Sequence, residues 1–412
     1  MNGEACNHMC AFPANLALFP DILEAHGYNV GYTGKGWAPG DLSKLKRNPC
    51  GNEYNKRFLT PPPDSQISHC DYAANFKDFL SECDGKPFYF WYGGYEPHRK
   101  YNFGEGLKNG KTLDEIQSVP SYWPDTETVR TDMLDYAFEI EWFDKQLAKM
   151  VEELKKADKL KDTLIIVTGD NGCPFPRVKG QMYEQDFHLP LIAYYEGMKV
   201  RGRRVGDIVN FVDIAPTVLE AAGIEKHPDM VGRSFFDTIV SEKSGQISDA
   251  RKETYFGREK QDVGSEDDLG YPVRCIRNGQ YLYIYNFAPD RWPAGNPETY
   301  FTNCDSSPTK DLIIEFNDKG DGKYYDLAFG KRPREELYDI LKDGECIFNL
   351  AGRDGYKKTA SLMRKKLFDF LKKTNDPRLN DENYFERMKL ISDGESYSWK
   401  AYKEGRWKKQ PY

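Results

Sequence analysis

Asp170 and Asn171 stand side by side where the apolar run Thr163–Thr168 stops, and Lys179 follows nine residues after Asp170 in a proline-rich loop. An acid and an amide offer hard oxygen ligands of the kind calcium and magnesium take. They lie at the carboxyl end of a buried strand, the side of an open α/β sheet on which ligands bind. Taken alone, Asp-Asn-Gly is equally a turn. Pro97-His98-Arg99 follows a second apolar run, PFYFWY, and its Gly-Gly. His98 suits a general acid near neutral pH. Arg99 suits an anion, or it pairs with a carboxylate such as Glu96. Lys35, in Gly34-Lys35-Gly36-Trp37, follows a third short run, and glycines let the backbone come close to a ligand. Either lysine alone reads as solvated. Together, two cations, a histidine and an oxygen-rich corner, placed after three strands, describe a site that transfers an anionic group. Phosphate and sulfate both need fixed cations around their oxygens and a Lewis acid.

The elements that must position these residues alternate. Leu16–His26 reads as a helix stopped by Gly27, Asn29–Thr33 as a short strand, and Pro87–Tyr92 as a buried strand. A long amphipathic helix follows Asp125 or Thr126 as its cap, with Met133, Ala137, Ile140, Leu147, Val151 and Leu154 on one face. Thr163–Thr168 and Leu189–Tyr195 are further strands. A helix starts at Asp213, with Pro216 in its first turn and Gly223 past its end. This alternation predicts an α/β layer fold around a mostly parallel sheet flanked by helices. Residues 237–252 are polar and read as a linker. Beyond them the pattern becomes antiparallel: Asn278-Gly279 between Val273–Arg277 and Gln280–Phe287 is a strong hairpin signal. Leu337–Ile340 adds a strand, and Thr359–Lys373 a helix with Leu362, Leu367, Phe370 and Leu371 inward. The expected units are residues 1–250, 251–374 and a tail, 375–412.

With 412 residues, 39% hydrophobic and 14% aromatic, the chain has material for one large unit and a smaller one. A net charge of -7 argues against a general nucleic-acid binder. No apolar run reaches the ~18 residues of a membrane span. The nine cysteines form no CxxC pair, so a zinc or redox motif is not expected. MNGEACNHMC lacks the basic start and apolar core of a signal peptide.

The stretches GYNVGYTGKGWAPGD (27–41), EPHR (96–99), SVPSYWPDTETVRTDM (118–133), TGDNGCPFP (168–176), VDIAPTVLEAAGI (212–224) and RPREELYDILKD (332–343) resemble the sulfatase family of the alkaline-phosphatase-like superfamily. The resemblance covers nearly the whole chain. Its PHR and DNGxPFP motifs are most similar to the sulfamidase group, the heparan N-sulfatases. It implies an alkaline-phosphatase-like core with a smaller C-terminal antiparallel sheet and a packed helix. It also implies calcium, bound in part by Asp170 and Asn171. Lys35 would contact the sulfate and the nucleophile, His98 would protonate the leaving group, and Lys179 would hold a sulfate oxygen. Arg99 would touch substrate. So would Arg291, in the aromatic stretch Tyr285–Pro297, which reads equally as a rigid proline loop. The expected partner is a sulfated saccharide such as heparan sulfate, with no nucleic acid or membrane, and a homodimer is one expected assembly.

The family's nucleophile is a formylglycine made from a C/S-x-P-x-R motif, and its other metal ligands are two aspartates after the first strand. Cys10 is followed by Ala-Phe-Pro, and Cys173-Pro-Phe-Pro-Arg177 has phenylalanine at the required proline. Asp267-Asp268 belongs to an acidic loop. The expectation is therefore a sulfatase chain that begins after its nucleophile helix. Trp37 stands where many sulfatases have a histidine. The complete protein is expected in a periplasmic, secreted or lysosomal-type compartment. A phosphodiesterase or phosphonate hydrolase of the same superfamily, or an inactive fragment, are the other readings.

Overall fold

NVGYTG forms strand β1 (Asn29–Gly34) and FYFWYG forms β3 (Phe88–Gly93). The computed structural model describes residues 14–37, 40–43, 45, 47–388 and 394–410; the expectations placed on Cys10 and the first residues lie outside these. β1 and β3 pair in parallel, Asn29 opposite Phe88 and Gly34 opposite Gly93, and β2 (Asn52–Glu53) lies on the other side of β1. The helix Tyr72–Glu82 covers this sheet. Its cap Asp71 accepts from Ala74 N at 3.0 Å, and Phe79 meets Phe90 with ring centroids 4.7 Å apart.

β4 (Ile165–Thr168) and β5 (Leu191–Tyr194) differ from the expected single sheet. Among the described residues they form a two-stranded antiparallel pair of their own. Parallel neighbours need a crossover, usually a helix. The connection from β4 to β5 is instead spent on the Asp170–Lys179 loop and a single turn of helix, Glu184–Phe187. No residue of β4 is fully buried, although the run reads as a core strand.

The long helix spans Glu127–Lys156, and Thr126 caps it through Val129 N. Its inward face is rotated from the apolar stripe read in the sequence. Leu154 is buried as expected, but Ile140 is 41% exposed. The buried positions include Asp132, Asp135, Glu139 and Gln146. The helix turns polar groups inward because they have work there: Asp135 accepts from the backbone N–H of Gly104 and Gly106, each at 2.8 Å.

The C-terminal sheet runs β6 (Glu253–Arg258), β7 (Val273–Asn278), β8 (Tyr281–Asn286) and β9 (Glu335–Asp339), all antiparallel. Helix Lys357–Lys373 lays Met363, Leu367 and Leu371 on Ile276, Tyr283 and Leu337. Leu362, expected inward, is 56% exposed, and Met363 takes that role. The stretch read as a linker is tied down: Arg251 is buried on Asp213 at 2.8 Å. The two halves share a core in which Trp123, Val129 and Phe175 meet Phe301, Ile313 and Phe329. That core brings the C-terminal half against the Asp170–Lys179 loop.

Candidate active site

Lys35 leaves β1 where that strand presses against the end of β3. A Cβ on Gly34 would stand 2.1 Å from Gly93 O, and one on Gly93 would stand 2.0 Å from Lys35 O. Gly34 and Gly93 therefore allow the two strands to approach, while a Cβ on Gly36, the other glycine beside Lys35, would meet Tyr32 and Asn48 at 2.7 Å. Lys35 N donates to Gly93 O at 2.6 Å, fixing the point from which the side chain leaves. Burial lowers the Lys35 ammonium, Asp170 works against that, and Lys179 adds to it. Lys35, Asp170 and Lys179 thus share one neighbourhood although Lys35 comes from the end of β1 and the other two from the loop after β4.

His98 joins them. Its Nδ1 pairs with the Arg99 carbonyl, so Nδ1 carries the proton and Nε2 is the nitrogen that titrates. Burial lowers the imidazole, and Lys179 and Lys35 lower it further; Asp305 opposes them. His98 and Lys35 line a cavity of about 310 Å³ together with Gln66, Ser68, Tyr95 and Glu96.

Lys179 is placed by a loop that one carboxylate closes. Asp186 accepts from Gly172 N at 2.8 Å and from Gly180 N at 3.0 Å, clamping both ends of the segment between Asn171 and Lys179. Lys179 Nζ lies 2.9 Å from Asp305 Oδ2. Asp305 is a site residue that sequence reasoning missed. The signal beside it, Ser307-Pro308, marks a helix start, and the carboxylate in front of it is unremarkable without the fold.

Burial raises three carboxyls around this region: Asp135 to about 6, Asp186 to about 7 and Glu139 to about 10. A raised acid favours the protonated folded state, so its contribution is full below the unfolded value and is lost as pH rises through the folded one. His98, lowered, opposes this as a single group. Carboxyls held low, such as Glu184 at about 2, lose their contribution only in more acidic solution. The melting temperature is expected to rise by about 2–5 °C from pH 8 to pH 6. Calorimetric melts at the two values check it, and a fall on acidification counts against these assignments.

The two expected substrate contacts, Arg99 and Arg291, each make an ion pair within the protein. Arg99 is buried, with Nη1 on Asp132 Oδ1 at 2.8 Å and Nε on Pro174 O at 3.0 Å, and its guanidinium lies over the rings of Tyr101 and Phe175. It joins the His98 loop to the long helix and to the Asp170–Lys179 loop, and it also lines the cavity with His98 and Lys35, its buried Nη2 making no hydrogen bond. Its partner is Asp132 and not Glu96, which accepts from Ser68 N and Tyr72 Oη. Arg291 donates to Glu386 and to Gly270 O, each at 2.7 Å, and so holds the C-terminal tail.

Asp170 and Asn171 are two oxygen donors on one corner. Asp170 Oδ1 accepts from Asn171 N at 3.0 Å, and Asn171 Nδ2 donates to Gly172 O at 2.7 Å. Calcium takes six to eight oxygens. Among the described residues no group of three or more His, Cys, Asp or Glu gathers to hold a metal. Asp170 and Asn171, the residues expected to meet calcium, are two donors and fall short of such a shell by themselves. None of the cysteines at 50, 70, 83, 173, 275, 304 and 346 is in a disulfide. No helix among the described residues is long and apolar enough to cross a membrane.

The sulfatase family model matches residues 10–224, and the one described as N-sulphoglucosamine sulphohydrolase, C-terminal, matches residues 178–291. The chain is similar to the ulvan-active sulfatase of Formosa agariphila, 25% identical over 367 residues covering 79% of this chain and 58% of that protein. It is similar to N-sulphoglucosamine sulphohydrolase of Homo sapiens, 25% identical over 336 residues covering 73% of this chain and 64% of that one. The chain therefore spans less than two thirds of the length of either relative. A structure solved in complex with its substrate D-glucosamine-2-N,6-O-disulfate matches with a TM-score of 0.58 at 18% identity, over 89% of this chain and 84% of the other. At that identity the match speaks for a shared fold.

Proposed function

The chain belongs to the sulfatase family and has its alkaline-phosphatase-like fold, and from that premise we propose that it takes part in removing sulfate from a sulfated saccharide, with Lys35 and Lys179 on the sulfate oxygens and His98 as proton donor. The observation that carries this is that Lys35 and His98 line one cavity, and that Lys179, from a separate element, lies near enough to act electrostatically on both. Two ammonium groups match the spread of charge over sulfate oxygens, which is where such stabilisation acts. His98, with Nδ1 committed to a carbonyl, has Nε2 left to protonate the oxygen or nitrogen released as the bond to sulfur breaks. Relatives named for N-sulphoglucosamine and ulvan favour a sulfated sugar, and a glycosaminoglycan such as heparan sulfate is the substrate class we favour. Such polymers belong to periplasmic, secreted or lysosomal-type compartments, and we place the reaction there.

Sulfatases work with a metal ion and a formylglycine. Asp170 and Asn171 are the residues here that would meet a calcium ion. The 412 residues contain no C/S-x-P-x-R sequence from which the aldehyde could form.

Titration calorimetry with D-glucosamine-2-N,6-O-disulfate tests the reading. The native chain should bind it, and Lys35→Ala or Lys179→Ala should each weaken binding by about ten- to a hundredfold, the worth of one hydrogen bond to a charged group. Undiminished binding by the double variant would overturn the assignment. Equal or tighter binding of the matching phosphate monoester would favour a phosphate-transferring member of the superfamily.

A further inference from the structure

We propose that an arriving sulfate group displaces Asp305 as the partner of Lys179, and that Asp305, left facing His98, makes the pocket take up the proton that His98 then donates. The inference rests on the sulfate-binding reading above and adds a positioning residue to it. A carboxylate is an unexpected partner for a lysine that is to hold an anion. Asp305 is nevertheless 2.9 Å from Lys179 and only about a fifth exposed. Burial pushes its carboxyl up, and the cations around it, Lys179 first, more than reverse that, so it stands there ionised.

Its place is firm. Asp305 precedes the helix Pro308–Asp318, whose first turn is closed by Ser307 Oγ accepting from Lys310 N at 3.1 Å and by Thr309 Oγ1 donating to Asp132 at 2.6 Å. Lys179 is the movable partner, a charge on a four-carbon stem in a loop. A sulfate between the two lysines competes with Asp305 for Lys179, and the lysine can follow it.

The charges that face His98 come from every element around it. Lys35 comes from the end of β1, and Lys179 from the loop after β4. Glu96, Arg99 and Lys100 belong to its own loop, Glu139 to the long helix, and Asp305 to the C-terminal half. Arg99 is already neutralised by Asp132. In the free pocket burial and the two lysines keep His98 neutral, the wrong state for a proton donor. A bound sulfate occupies the lysines and removes the neutralising partner of Asp305. Both changes favour imidazolium. The balance is simple: one proton passes from solvent to Nε2 on binding, Nδ1 keeps its proton on the Arg99 carbonyl, and the Nε2 proton leaves with the departing group.

The test is calorimetric titration of the full chain with inorganic sulfate at pH 7, in buffers of different ionisation enthalpy. The native chain should take up a fraction of a proton, up to about half, per sulfate bound. His98→Gln should bind sulfate with no uptake, and Asp305→Asn should bind it with less than half the native uptake. In the native protein alone, the His98 imidazole resonance should titrate about one pH unit higher with saturating sulfate than without. Sulfate binding without proton uptake, or native uptake by Asp305→Asn, would overturn the inference and leave the sulfate-binding reading standing. A native chain that binds no sulfate would overturn both.

Discussion

Replacing Arg99 with methionine is expected to lower the unfolding free energy by about 3–5 kcal/mol, the cost of leaving a buried ion pair half made. The Arg99 side chain is 5% exposed and that of Asp132 1%. Without the guanidinium, Asp132 keeps only Thr309, whose Oγ1 donates to it at 2.6 Å. The same substitution removes the tie to Pro174 O and the guanidinium between Tyr101 and Phe175. His98 is the preceding residue, Lys179 follows Phe175 in the same loop, and Asp305 is anchored next to Thr309. One side chain therefore braces all three, and sulfate affinity should fall with stability. Urea denaturation read by tryptophan fluorescence measures the first effect and calorimetry the second. Arg99→Met with Asp132→Leu should recover part of the stability, because a buried pair replaced whole is far less costly than one broken. A loss below about 1 kcal/mol for the single variant would remove Arg99 from this role.

The expectation for Arg99 shows where sequence reading stops. Local signals are enough for the strands, the caps and the Asn278-Gly279 hairpin, because each depends on neighbours a few residues away. Sequence reading singles out Lys35, His98 and Asp170 by one shared property, a position just past an apolar run, and Lys179 by the loop that follows the last of these runs. Arg99 has that property too, but its partner Asp132 lies on a helix whose buried stripe is polar. An apolar-periodicity reading places Ile140 inward and leaves Asp132 and Glu139 unexamined. Asp305 belongs to a segment with no strand before it, and only the shared core of Phe175, Phe301 and Ile313 carries it to Lys179. The antiparallel pairing of β4 with β5 is likewise set by how a long loop returns, which residue types do not encode. Partners distant in sequence, joined through buried polar groups, are what the pattern leaves out.

Arg274→Met is expected to cost a further stretch of the chain its anchor, again about 3–5 kcal/mol, while leaving sulfate affinity unchanged. Arg274 leaves β7 into a fully enclosed space, 1% exposed, where Nε meets Asp376 Oδ2 at 2.6 Å and Nη2 meets Glu259. Arg378 joins from the tail, with Nε 3.0 Å from both oxygens of Glu259. Removing Arg274 leaves Glu259 with Arg378, but leaves Asp376 with little besides the Arg378 backbone N–H at 3.1 Å. The pH dependence separates this from a simple packing defect. In the native chain burial pushes Asp376 up and Arg274 more than reverses it, so the carboxyl sits below its ordinary value. Its contribution is present above the unfolded value and is lost only as pH falls through the lower folded one. Without Arg274, burial acts alone, the carboxyl rises, and the ionised form is the costly one. The deficit of the variant relative to the native chain should therefore shrink between pH 8 and pH 5, read as the difference in urea midpoint at each pH. Proteolysis should also reach the segment after Asp376 sooner in the variant. A deficit that stays constant across that range would mean that the space around Asp376 opens to water when Arg274 is lost, and that the tail is held by packing of Phe385 and Trp399 rather than by charge.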